Sequence, residues 1–294
     1  MSTGCCLMDV SIIIVNHDTR AFLKRCLRSV IAFPPSCKFE TIVVDNASGD
    51  GSAEMVKSEF PHVRLLENRT NVGFSGALNR GIRRSAGNLL LLLNPDVIMA
   101  PGCVEALGEF LERHPDAGIC GPKLLNPDGS IQLSCRAFPT PVNVFFGRRS
   151  IWNRLFPRNR ISRFFLKSDM DYGAVQEVDW IMGACMMVRR RVIDSIGLFD
   201  EDYFLFVEDA DFCYRSKKAG YSVFFVPDGV ATHERGASTR KSFVMSTYNH
   251  NVGMYKFFGK HYDPNPALRA ALGLGLAVRL LLVIPVEGIS RSLR

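Results

Sequence analysis

No pair of cysteines in this chain is spaced C-x-x-C, although nine cysteines are present. An odd, scattered set of thiols gives neither a disulfide framework nor a zinc site, and it predicts a reducing, cytoplasmic setting. No glycine-rich loop follows the first apolar segment. Neither G-x-G-x-x-G nor G-x-x-x-x-G-K-[ST] occurs, so dinucleotide and P-loop binding lack the backbone cradle that phosphates need there. The strained serine turn G-x-S-x-G is missing too, which removes the hydrolases that depend on it. No basic region followed by an apolar core opens the chain, so Val10–Val15 reads as a first strand and not as a signal peptide. Nowhere do uncharged apolar residues run for the roughly 20 positions that a membrane-spanning helix requires.

What is present is an ordinary globular composition, 47% hydrophobic and 22% charged over 294 residues, enough for one large core or two modest ones. Net charge is +7 and the sequence pI is about 9.0. Such a balance suits an anionic partner: nucleic acid, a phosphorylated substrate or an acidic membrane surface.

The chain alternates apolar segments with amphipathic ones. Val10–Val15 is β-branched, and Phe22, Leu23, Cys26, Leu27, Val30 and Ile31 follow at the spacing of one helix face, with Asp18 or Thr19 available as N-cap. Pro34-Pro35 ends that helix. Phe39–Val44 is a second strand, closing on Asp45-Asn46-Ala47-Ser48, and a short helix near Ala53–Phe60 leads to a third strand, Val63–Glu67. Asn71-Val72-Gly73-Phe74 opens a helix with Phe74, Leu78 and Ile82 on one face. Then comes Leu89–Leu93, five leucines that stop on Asn94-Pro95-Asp96. A run without polar alternation must be covered on both faces, as in parallel sheets flanked by helices. Ligands of such sheets bind beyond the carboxyl ends of the strands, where Asn16, Asp45, Asn94 and Asp96 converge. Asn-Pro-Asp also suits a plain turn. The alternation predicts an α/β fold with a mainly parallel central sheet.

Pro101–Arg113 reads as a further helix, Gly118–Leu125 as apolar again, and Tyr221–Val226 as a strand before a loop at Ala231–Gly236. Over about 139–167 periodicity fades and basic residues alternate with Phe145, Phe146, Trp152, Phe156, Phe164 and Phe165. A solvated loop has this texture; so does a surface for a membrane interface or a phosphate-bearing acceptor. Single-stranded nucleic acid ranks lower, because no nucleic-acid module accompanies the patch. From Pro266 the chain turns apolar, with Arg269 and Arg279 interspersed, which suits a helix lying in the membrane interface or one docked on the domain's own surface.

Chemistry on a nucleotide diphosphate calls for a hard cation and oxygen ligands, and Mn2+ tolerates imidazole. Asp96 and His233 are the natural pair. Asp45 can accept from a base or ribose, or merely cap its strand. Glu208, Asp209 and Asp211 form an acidic cluster that can supply a general base, or can favour the positive end of the helix starting there.

In order and spacing, these pieces resemble the inverting glycosyltransferases of family 2, with the GT-A fold, and among them the rhamnosyltransferase-like branch. The resemblance rests on Val10–Asn16, Ile42–Ser48, Asn71–Phe74 with Asn79-Arg80-Gly81, Leu93–Asp96, Gly183-Ala184, Glu208–Asp211 and His233–Gly236. It implies a GT-A domain over 1–262, with the basic aromatic insertion inside it, and an apolar, basic helical tail over 263–294. The resemblance further implies Asp209 as catalytic base and a divalent cation, Mg2+ or Mn2+, on Asp96 and His233. Where the family carries Asp-x-Asp, this chain has Asn94-Pro95-Asp96, so only Asp96 offers a carboxylate and Asn94 faces the nucleotide sugar. Asp45, Asn16, Asn46, Asn79 and Glu208 are expected to bind substrate. Gly183 and Ala184 are expected on the acceptor side with Trp180, which is equally explained as core.

The implied reaction moves a sugar from a nucleotide-diphosphate donor to a saccharide acceptor, with a lipid-linked one expected, in cell-envelope polysaccharide or glycolipid assembly. No nucleic acid takes part, and the enzyme would work peripherally at the inner face of the cytoplasmic membrane. Two rivals are a silent nucleotide-sugar-binding module and a sugar nucleotidyltransferase. The second usually wants a glycine-rich basic loop after the first strand, whereas Asn16–Arg20 contains no glycine.

Overall fold

The computed structural model describes residues 9–141, 160–234, 243–262 and 265–292. The elements are, in order, β1 (Asp9–Asn16), α1 (Arg20–Ala32), β2 (Lys38–Asp45), α2 (Ser52–Glu59), β3 (Arg64–Glu67), α3 (Gly73–Arg84), β4 (Leu89–Leu93), β5 (Val97–Met99), α4 (Cys103–Arg113) and β6 (Ala117–Leu125). They continue with β7 (Cys135–Arg136), α5 (Arg160–Leu166), β8 (Gln176–Glu177), β9 (Trp180–Ile181), β10 (Cys185–Arg189), α6 (Arg190–Ile196), α7 (Glu208–Lys218), β11 (Ser222–His233), α8 (Phe243–His261) and α9 (Pro266–Ser292).

Among the described residues one sheet has nine strands in the order β3-β2-β1-β4-β10-β6-β11-β5, with β8 on β11, and β7 pairs β9 separately. The four apolar segments pair in parallel as expected, with β1 between β2 and β4. Two features depart from the sequence reading. β10 lies antiparallel between β4 and β6. β11 runs on to His233, so Ala231–His233 is strand, paired with β5 and β6. The strand expected over Tyr221–Val226 does not stop there, because Pro227-Asp228-Gly229 forms a bulge between Val226 and Val230 and the pairing resumes.

The leucine run Leu89–Leu93 is buried throughout because helices cover both faces of the sheet. α1, α2 and α4 pack on one side through Leu23, Leu27, Met55 and Leu107. α3, α6, α7 and α8 pack on the other through Leu78, Ile82, Phe212 and Phe257. α1 buries Leu23, Cys26, Leu27 and Val30 as its spacing predicts, while Ile31 is 45% exposed. Thr19 occupies the cap position, yet its hydroxyl turns to Asn16 Oδ1 at 2.6 Å, and Asp50 takes the Arg20 N–H at 2.8 Å in its stead. Gly81 lets α3 sit close to β1: a Cβ there would come within 2.5 Å of Ile13 Cγ2.

α8 has no counterpart in the sequence reading, and it carries Met254, Phe257 and Phe258 into the core. The tail helix α9 docks on it, burying Leu272 and Leu276, while Leu268, Leu274, Val278 and Leu281 stay exposed. Docking therefore accounts for one face of α9 and leaves the other unexplained. Most of the basic aromatic insertion, 142–159, lies outside the described residues; its end, Arg160–Leu166, is helical and carries Phe164 at 64% exposure.

Candidate active site

Register sets the donor end. Asn16 and Asp45 are Cα partners at the tips of β1 and β2, and Asn16 Nδ2 donates to Asp45 Oδ1 and Ser48 Oγ, both at 3.0 Å. The Ser48 N–H donates to Asp45 Oδ2 at 3.0 Å, so the buried carboxylate shapes the 45–48 loop while each oxygen keeps a lone pair. Asn46 is different. Its Nδ2 donates to Asn71 Oδ1 and the Gly73 carbonyl, and its Oδ1 accepts from Asn68 and the Val72 N–H. Asn46 therefore fastens the loop to α3 and has no polar group left for a substrate, contrary to expectation. Asn79 needs the same correction: its amide exchanges bonds with the Phe199 main chain and donates to Glu201 Oε1. Asn16 needs it too: it is fully buried, and its amide is spent on Asp45, Ser48 and Thr19. An asparagine side chain suits a ligand and an internal clasp equally well.

The turn after β4 brings Asp96 to the end of β11. The Glu234 N–H donates to the Asp96 carbonyl at 2.9 Å, and Asp96 Oδ1 lies 3.3 Å from His233 Nε2. Both side chains are largely buried. Two donors cis on an octahedral ion, each about 2.1 Å from it, lie about 3 Å apart. The spacing therefore fits Mg2+ or Mn2+. No group of three or more acidic, histidine or cysteine ligands occurs among the described residues. Two protein ligands suit an ion whose remaining positions fall to phosphate and water.

Gly183 and Ala184 join this end to the acidic cluster. The Asn94 N–H donates to the Ala184 carbonyl at 2.8 Å, and the Gly183 N–H donates to Asp209 Oδ2 at 2.9 Å. Among the described residues no hydrogen bond engages the half-buried Asn94 side chain. Asp209 Oδ1 accepts the Ala210 N–H at 2.8 Å. Burial raises the Asp209 carboxyl above the ordinary aspartate value, restrained by those backbone bonds and by the charge of buried Arg136. Glu208 is 7% exposed and its Oε2 has no hydrogen-bond partner among the described residues; burial and then the Asp209 charge push its carboxyl well up.

Asp211 is structural. Its carboxylate takes Arg215 Nε at 2.8 Å, Lys260 Nζ at 2.8 Å and His261 Nε2 at 2.7 Å. Burial alone would raise this carboxyl, but the bonds from His261 and Lys260 and the Arg215 charge bring it down to about 2. Trp180 belongs to the core, its Nε1 donating to the Ala137 carbonyl, so the acceptor-side placement does not hold for it. Sequence reasoning missed Arg136, which is 8% exposed and pairs with Trp180 across β7 and β9. It also missed Gln132, which hydrogen-bonds His233 through both its ends. Neither lies in a recognisable motif.

A mainly parallel α/β sheet with helices on both faces, Asp45, Asp96 and His233 at its strand ends and Asp209 in the first turn of α7, is the architecture of the GT-A glycosyltransferase fold. The chain belongs to glycosyl transferase family 2, whose model matches residues 11–197. It is 29% identical over 286 residues to the N-acetylglucosaminyl-diphospho-decaprenol L-rhamnosyltransferase of Mycobacterium tuberculosis, covering 93% of this chain and 92% of that protein. Rhamnosyltransferase WbbL of Escherichia coli is 25% identical over 265 residues, 85% of this chain and 93% of WbbL. In fold it is similar to a Pyrobaculum calidifontis mannosyltransferase solved with GDP-Man and Mn2+, with a TM-score of 0.60 at 18% identity over 97% of this chain and 75% of that one.

Proposed function

We propose that this glycosyltransferase moves a hexose, rhamnose in the first instance, from a nucleoside-diphosphate donor to a hydroxyl of a lipid-linked saccharide, inverting the anomeric centre. The observation that carries the reading is the Asn94–Ala184 and Gly183–Asp209 relay, which ties the strand tips to a half-buried carboxylate with free lone pairs. The rhamnosyltransferase names of two relatives support the sugar, and the decaprenol of one supports a lipid-linked acceptor.

Asp209 accepts the acceptor's hydroxyl proton as that oxygen attacks the anomeric carbon. The bond from that carbon to the diphosphate breaks on the opposite face, and the nucleoside diphosphate departs with the electron pair. The raised Asp209 pKa makes it a stronger base, while the Gly183 and Ala210 N–H groups keep it ionised and aimed. Asp96 and His233 would hold a divalent cation, which when bound neutralises charge on the leaving diphosphate. Asp45 and Asn94 face the donor. The intact set of Asp45, Asp96, Asp209 and His233 disfavours a silent module.

The enzyme works at the inner membrane face in cell-envelope polysaccharide assembly, with the exposed side of α9 against lipid. The experiment is a screen of nucleotide sugars for hydrolysis and for transfer to polyprenyl-diphosphate saccharides, with Mn2+ and with chelator. Donor-specific transfer giving the inverted anomer is expected; no turnover of any donor, or retention, removes the reading.

A further inference from the structure

The turn after β6 leads back under the proposed metal pair. Asn126-Pro127-Asp128-Gly129-Ser130 closes through the Asn126 N–H to the Ser130 carbonyl at 2.8 Å, with Gly129 at φ +80, and the returning Gln132 N–H donates to the Leu124 carbonyl at 2.8 Å. This leaves Gln132, 1% exposed, beside His233. Its Oε1 lies 2.7 Å from His233 Nδ1, and its Nε2 donates to the His233 carbonyl at 3.1 Å and to Asn126 Oδ1 at 2.9 Å.

The main-chain carbonyl decides the amide's orientation, because a flipped amide would set Oε1 against it, acceptor to acceptor. An oxygen thus faces Nδ1, and only an N–H can bond to it. In a neutral ring the lone pair then falls on Nε2, 3.3 Å from Asp96 Oδ1. Two acceptors turned toward one another are a poor contact by themselves. They are a sound arrangement around a cation.

We infer that Gln132 is a positioning residue that holds His233 as the Nδ1–H tautomer, so that the Nε2 lone pair and Asp96 converge on one ion. This rests on the metal reading proposed above. Hydrogen-bond partners of this kind typically change metal affinity by about 10- to 100-fold when removed.

The test uses the full chain labelled with 15N at histidine, at about pH 8, where an ordinary imidazole is neutral. The His233 ring is assigned by its loss in His233→Ala, and binding of Mn2+ alone is followed by electron paramagnetic resonance. The wild type is expected to show Nδ1 protonated, and Gln132→Leu to move the proton to Nε2 and weaken Mn2+ binding about 10- to 100-fold. Gln132→Glu keeps an acceptor at Nδ1 and restores the tautomer, and thermal melting confirms that both variants fold. Nδ1 protonation persisting in Gln132→Leu, or Nε2 protonation in the wild type, overturns the role of Gln132, whatever the metal does. Mn2+ binding unchanged in both Asp96→Ala and His233→Ala overturns the metal reading and with it the purpose of the tautomer, while the ring spectrum still reports separately on Gln132.

Discussion

As the proposed base, Asp209 has to be both strong and ionised. Its carboxylate is held by the N–H groups of Gly183 and Ala210, at 2.9 and 2.8 Å, against a burial that raises its pKa. Asp209→Asn keeps the shape and removes the proton acceptor, so kcat should fall about 10²- to 10⁴-fold with donor affinity unchanged. A kcat within threefold of wild type, or so, would assign the base elsewhere. Since the folded pKa is raised, activity is present above it and lost as pH falls through it. The acid limb of kcat/KM should therefore lie above the ordinary aspartate value of about 3.9. The profile of Asp45→Asn, which leaves Asp209 in place, should keep that limb. Residue identity alone could not show that the amides of Asn16, Asn46 and Asn79 all turn onto the chain itself, because only the direction of each amide tells. Asp96 was legible because an apolar run stopped on it.

At the scale of elements, the segment before α7 is gripped from two sides. α3 holds it through Phe74 N–H to the Phe204 carbonyl at 2.7 Å, Ser75 Oγ to the Tyr203 carbonyl at 2.8 Å, and the Asn79 amide. α8 holds it through Lys256 to the Asp202 carbonyl, Lys260 to Asp200 and Asp211, and His261 to Asp211. Asp211→Asn takes the buried counter-charge from the partly exposed Arg215 and Lys260 and should cost about 1–3 kcal/mol of unfolding free energy in urea titration. The wild-type carboxyl sits at about 2, below the ordinary value of 3.8. Its contribution is therefore complete above pH ~4 and is lost as pH falls through ~2, on the order of 2 kcal/mol. Asp211→Asn should flatten that part of the acid-unfolding curve. Gly73 has φ +81, and a Cβ would lie 2.8 Å from the Phe204 carbonyl. Gly73→Ala should cost about 1–3 kcal/mol from backbone strain and the shift it forces. The parallel half of the sheet was legible from unbroken apolar runs. β10 and the end of β11 were not, because an antiparallel insertion leaves no mark in a buried strand and a bulge carries the residues of a turn.

At the scale of the molecule, no helix of the described residues is long and apolar enough to cross a membrane. One side of α9 is spent on the domain through Leu272 and Leu276, while Leu274 and Leu281 stand 68% and 72% exposed. With a net charge of +7, the chain should sediment with vesicles of anionic phospholipid. Leu274→Glu with Leu281→Glu should reduce that partition at least about 100-fold, with thermal stability retained because neither side chain is in the core. Equal sedimentation of the double variant would place the lipid contact elsewhere.

Phe206 and Val207 both hold left-handed backbone, φ +70 and +73, directly before Glu208, and Gly253 of α8 lies close against them: a Cβ there would come 3.0 Å from Val207 Cγ2 and 3.1 Å from the Phe206 carbonyl. The consequence is one of timing. During synthesis the strand tips and every motif residue have already been made when Gly253 is added, so the donor end can assemble early. The turn before Asp209 waits for α8, so the acidic cluster takes its final place only once that helix has packed.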